Sequence, residues 1–321
     1  MPLPTDEKAL ALGKDLLQAI DTVFGGPYPG YRAVHSKGAL LTGTFAPTPE
    51  AASLTRAPHA TRSSTPVSMR FSDAAGVPLV PDNDPQGASP RGCAIRFHLA
   101  DHVHTDIVSH SANGFPARTA EELLEFFRTI PASGPSVPHP TPLEAFLSRH
   151  PAAMTFVNMP KPFPTSFAKE QFFAVTAFKF TNAEGSVQYG RYRILPEIGT
   201  EYLEAAAAAA KTPNYLFDEL FERIAGGPIK FQILVQLSEE DDTVDDATVQ
   251  WPENRRLLRF GNITLDALAP NNEAEQRQII FDPIPRVDGI ESSGDPLLEP
   301  RATVYLLSGR RRRATGQHSG S

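Results

Sequence analysis

Eight stretches of strand length, rich in branched and aromatic residues and cut short by Pro, Gly or Asp, recur along this 321-residue chain. They cover residues 39–45, 66–71, 93–99, 103–108, 172–180, 187–195, 229–237 and 256–265. Asn182-Ala183-Glu184-Gly185 reads as the hairpin turn between two of them. A sheet of that size exposes two unpaired edges, and closure into an antiparallel barrel removes both. Helical periods fall between and around the strands. Leu10, Leu16, Leu17, Ile20 and Phe24 share one face over residues 5–24, which stop at Gly25-Gly26. Thr119 and Glu122 form a capping-box pattern ahead of Leu123, Leu124, Phe126 and Phe127. A proline-rich loop follows, and further helices are predicted at the alanine run 205–210, at 215–224 and around Tyr305. The expected class is α+β: an antiparallel eight-stranded β-barrel core with inserted and flanking α-helices. The expected division is an N-terminal helix over 1–26 and one domain over 27–321 that ends in a basic tail.

Composition limits the function classes. With 40% hydrophobic residues the chain can bury a large core. A formal charge of −7 argues against nucleic acid or an anionic membrane as partner. Residues 1–26 carry acidic side chains and no uninterrupted apolar run, so neither a signal peptide nor a membrane span is expected, and a cytoplasmic location follows. The single cysteine, Cys93, has no internal disulfide partner and is expected to be a small buried hydrophobe.

Chemistry enters with Arg301 and Tyr305, one helical turn apart, where a guanidinium reaches the phenolic oxygen and holds it as phenolate. A phenolate is an iron ligand. Taken alone, such a pair is more often a solvated or core pair. The context is VHSKGALLTGTF (34–45), PVSMRFSDAAG (66–76), ASPRGCAIRFHL (88–99), DIV (106–108), FFAVTAFKFTNAEGSVQYGRYRILPEIG (172–199), IIFDP (279–283) and GIESSGDPLLEPRATVY (289–305). In order and approximate spacing these segments resemble the catalase family over nearly the whole chain. The resemblance implies a catalase-like haem fold with haem b, iron protoporphyrin IX, as cofactor and Tyr305 as iron ligand, its charge held by Arg301. It implies His35 as the distal acid-base group, oriented by Ser72, with Val34 narrowing the approach to the iron. Arg32, Arg70 and Arg312 match the propionate-binding positions, and Phe115 the place against the porphyrin face.

One departure concerns the family's distal asparagine. Here the stretch is Asp106-Ile107-Val108-Ser109-His110-Ser111-Ala112-Asn113, which puts His110 in its place, or Asn113 if the turn is rebuilt. The chain also lacks the long arm and the wrapping and helical regions of full-length members, and so resembles the minimal form, the catalase-related peroxidases. Both departures favour reduction of hydrogen peroxide or organic hydroperoxides by a small organic electron donor over dismutation. No nucleic acid or membrane partner is expected, NADPH is not expected, and a homodimer is the expected assembly. Four alternatives stand beside this expectation. The first is a true catalase. The second is an allene oxide synthase, which carries threonine where this chain has Val34. The third is a non-enzymatic haem-binding protein, for which His35 and Ser72 have no use. The fourth is a zinc site built from His98, His102, His104 and His110.

Overall fold

The computed structural model describes residues 2–315, so the outermost bounds predicted above, 1 and 321, lie outside the described residues. Its strands are β1 (Gly38–Pro47), β2 (Thr65–Ser72), β3 (Gly92–Ala100), β4 (Val103–His110), β5 (Phe163–Pro164), β6 (Phe172–Phe173), β7 (Phe178–Thr181), β8 (Val187–Pro196), β9 (Tyr202–Leu203), β10 (Ile229–Leu237), β11 (Leu257–Leu268) and β12 (Ile290–Ser292). The helices are α1 (Glu7–Phe24), α2 (Pro49–Leu54), α3 (Pro58–Thr61), α4 (Ala120–Thr129), α5 (Pro142–Arg149), α6 (Pro151–Asn158), α7 (Ala205–Ala209), α8 (Tyr215–Gly226), α9 (Asn272–Gln278) and α10 (Leu298–Ala314).

Antiparallel pairing runs β11-β1-β2-β3-β4-β6-β8-β10 and returns to β11, which closes the barrel. The run predicted as one strand over 172–180 is divided into β6 and β7, both paired to the same side of β8. Between them the chain leaves the ladder. That detour puts Val175 into the outer helical cluster and Thr176 against Arg301.

Alternation along each strand sorts side chains between two layers. On β2, Met69 and Phe71 point into the barrel while Arg70 and Ser72 face outward. The interior is packed with aromatic rings, among them Phe45 edge-on to Phe97 at 5.1 Å and Phe71 stacked on Phe167 at 5.4 Å. Burying each such side chain contributes about 1.5–3 kcal/mol. Outside the barrel, α1, α4, α5 and α10 form a second apolar layer around Leu16, Ile20, Leu124, Phe146 and Val304. Cys93 is buried, as its strand position predicts, and burial pushes its thiol pKa up. No helix among the described residues is long and apolar enough to cross a membrane.

Candidate active site

Between the outer face of β2–β4 and the helical layer lies a cavity of about 340 Å³. It is lined by Arg32, Val34, His35, Arg70, Ser72, His110, Phe115, Arg301, Tyr305 and Arg312, whereas Asn113 is not part of the lining. The Asn113 amide instead donates to Glu253 Oε1 at 3.3 Å.

One register row carries much of this wall. Gly38 pairs with Ser72, Ser72 with Gly92, Gly92 with His110, and His110 with Phe173, so five strands contribute adjacent positions. The two glycines in the row are space-makers. A Cβ on Gly92 would stand 2.5 Å from Ser72 Oγ and 2.7 Å from His35 Nδ1, and one on Gly38 would stand 2.5 Å from the Arg70 guanidinium carbon. Neither was singled out in the sequence, where each reads only as a strand boundary. Gly92→Ala is therefore expected to destabilise the chain by about 1–3 kcal/mol through overpacking. Denaturant unfolding measures it, and an unchanged midpoint and slope would mean the wall has slack.

His35 sits in the segment before β1 with φ 54°, a left-handed conformation. Its Nδ1 is 2.9 Å from the Asp73 carbonyl and 3.2 Å from Ser72 Oγ. A carbonyl only accepts, so Nδ1 holds the proton and Nε2 keeps its lone pair. Burial, reinforced by the charge of Arg70, lowers the imidazole pKa to about 4, which leaves the ring neutral at pH 7.

Arg32, Arg70 and Arg312 form a cationic rim. Arg32 donates to the Ile279 carbonyl at 3.1 Å, and Arg312 to the same carbonyl at 2.6 Å and to the Arg277 carbonyl at 2.9 Å. Arg70 donates to Gln276 Oε1 at 2.8 Å and to the carbonyls of His35 and Ser36. Among the described residues none of the three is ion-paired with a carboxylate. Burial lowers the pKa of Arg32 well below its ordinary value, with help from Arg70 and Arg312. It brings Arg70 to about 9 and Arg312 to about 10, so these two remain charged at pH 7. Uncompensated buried cations of this kind are costly, and two carboxylates with good geometry would relieve them.

The Ile279 carbonyl that Arg32 and Arg312 share is placed by an ion pair at the neighbouring strands. Arg96 on β3 and Asp106 on β4 form a bidentate pair at 2.8 and 2.7 Å, and Asp106 Oδ2 also accepts from the Asp282 N–H at 2.7 Å. This fixes the IIFDP loop, which presents Ile279 to the arginines and Ile280 and Phe281 to the cavity. The Arg310–Arg313 run lies within α10, where Arg311 pairs with Asp21 of α1.

On α10, Arg301 donates to the Tyr305 hydroxyl at 3.2 Å and to Thr176 Oγ1 at 3.3 Å. Burial opposes the Arg301 charge, but the Tyr305 oxygen and the Asp295 carboxylate outweigh it, and the guanidinium pKa is raised. Phe115 lies under Arg301, its ring centre 5.6 Å from the guanidinium carbon. His98 pairs with Ser68 Oγ at 2.9 Å and His102 stands in solvent. Among the described residues no three His, Cys, Asp or Glu side chains converge on a metal position.

Comparison with known proteins gives a consistent picture. Residues 29–319 match the family model described as Catalase. The chain is 34% identical to the catalase-related peroxidase of Mycolicibacterium paratuberculosis, covering 91% of this chain and 92% of that protein. It is 33% identical to the catalase-related peroxidase of Synechococcus elongatus, covering 91% and 86%. Against Catalase-2 of Bacillus subtilis the identity is 28%, over 85% of this chain and 42% of that one. A crystal structure of a fungal catalase superposes with a TM-score of 0.77 at 24% identity, over 92% of this chain and 62% of that one, and so shows the fold.

Proposed function

The chain belongs to the catalase family, and from that premise we propose that it is a haem-dependent peroxidase reducing hydrogen peroxide or organic hydroperoxides with a small organic electron donor. The observation that carries this is the cationic rim. Three arginines, Arg70 and Arg312 buried and Arg32 half-buried, have no acid partner among the described residues and share one cavity with a neutral histidine and an arginine-bound tyrosine. That donor set fits haem b: Arg32, Arg70 and Arg312 would hold its two propionates, Tyr305 would ligate its iron beside the Arg301 charge, and Phe115 would lie against the ring. Haem when bound supplies the redox chemistry that breaks the O–O bond.

The chain's own groups then manage the proton. His35 Nε2, its lone pair free because Asp73 holds the other nitrogen, takes the proton from one peroxide oxygen and returns it to the other, which departs as water. Ser72 keeps the ring from turning, and Val34 narrows the cavity beside it. The two relatives named catalase-related peroxidase support donor-driven turnover over dismutation. We further place the enzyme in the cytoplasm as a homodimer, without nucleic acid or membrane partners, its haem domain starting at residue 27. The test is peroxide consumption by the haem-loaded protein with and without a phenolic donor. Donor-dependent turnover exceeding oxygen release is expected, and vigorous oxygen release without donor would favour a true catalase instead.

A further inference from the structure

Among the described residues two histidines line the cavity, and their hydrogen bonds fix them in opposite tautomers. Asp73 accepts from His35 Nδ1, leaving Nε2 an acceptor. At the end of β4 the relation reverses. The Ala112 N–H donates to His110 Nδ1 at 3.3 Å, so His110 carries its proton on Nε2. That Nε2 is buried and has no partner among the described residues. Burial, with the charge of Arg301, lowers the His110 pKa to about 3, so the ring is neutral and holds only this one proton. The orientation is set by its surroundings. Phe115 stacks on the ring at 6.3 Å and 30°, and the backbone is locked into the row through Gly92. An unsatisfied buried donor in a ligand-sized cavity is a group waiting for an acceptor.

We propose that His110 is the cavity's hydrogen-bond donor to bound peroxide, giving its Nε2–H to a peroxide oxygen while His35 Nε2 accepts the peroxide proton. This rests on the peroxidase function proposed above. The two rings form a donor and acceptor pair, and neither changes tautomer to do so. His110 cannot serve as a second base, because its only lone pair in the ring plane is occupied by Ala112. Asn113, with its amide turned to Glu253 and its place outside the lining, takes no part.

The experiment uses the haem-loaded protein and cyanide, a peroxide-sized ligand whose binding is read from the Soret shift without turnover. In His110→Leu, cyanide affinity and the second-order rate with peroxide are both expected to fall about ten- to a hundredfold, the loss of one hydrogen bond to a charged group. Haem content should not change. His110→Gln, whose amide nitrogen reaches about as far as Nε2, is expected to restore both to within roughly threefold. Unchanged cyanide affinity in His110→Leu would overturn the proposal. Equal losses in the Leu and Gln variants would also do so, as would a comparable loss in Asn113→Ala. Absence of haem binding in the unsubstituted chain would instead remove the peroxidase function itself, and this inference with it.

Discussion

Tyr305→Phe is expected to lose haem, with Soret absorbance per chain falling roughly tenfold or more while far-UV dichroism is unchanged. The substitution keeps the ring and its packing in the outer apolar layer and removes one oxygen. That oxygen is the atom Arg301 contacts at 3.2 Å, and it is the atom proposed to ligate the iron. The Arg301 guanidinium keeps its bond to Thr176 and its place over Phe115, so the helix has no reason to unravel. Haem content and affinity equal to those of the unsubstituted protein would show that iron is held elsewhere or not at all.

The second large effect is expected at His35. His35→Ala should bind haem normally and react with peroxide roughly 10²–10⁴ times more slowly, the range for losing a positioned acid-base group. Alanine at φ 54° carries a strain of about 1–2 kcal/mol. His35→Gly, free of that strain, should therefore show the same kinetic loss. The unsubstituted enzyme should show the complementary pH signature. Protonation removes the Nε2 lone pair, so the rate with peroxide is lost as pH falls through the imidazole pKa and not as it rises. Burial has moved that pKa down to about 4, which predicts a flat rate from pH 8 to about 5 and a decline below about 4. Stopped-flow rates with an inflection near 6.5, the value of an unperturbed imidazole, would contradict a buried His35 as the acceptor.

How much of this was legible in the chain differs by element. Each strand with clean alternation appears at its predicted place, because one face must be buried and a slip of one residue would expose it. The 172–180 run misled because Ala174, Val175 and Thr176 have strand-compatible side chains. On their excursion Thr176 meets Arg301, 125 positions away, a contact that local sequence does not announce. The short helices α2, α3, α5 and α6 were also missed. They lie where proline reads as a loop signal, yet each has its proline at the first or second helical position, where the missing N–H costs nothing. Thr141 and Glu144 even complete a capping box for α5.

At the site, Arg301 and Tyr305 were legible because helical spacing alone brings them together. Arg32, Arg70 and Arg312 were legible only through the family pattern, since 280 positions separate the first from the last. The roles of the Asp73 carbonyl, Gln276 and Gly92 had no sequence signal. A backbone acceptor, an amide on a distant helix and the absence of a methyl group acquire meaning only when strands are in register. The choice between His110 and Asn113 depended on the turn after β4, which directs one ring into the cavity and the other side chain to Glu253.

The most direct measurement is the visible spectrum of the purified chain as haem is added, followed by one addition of peroxide. Haem binding through Tyr305 predicts a Soret band that saturates at about one haem per chain, a high-spin ferric form with tyrosinate ligation, and an immediate spectral change with peroxide. A chain that folds but develops no Soret band would contradict it.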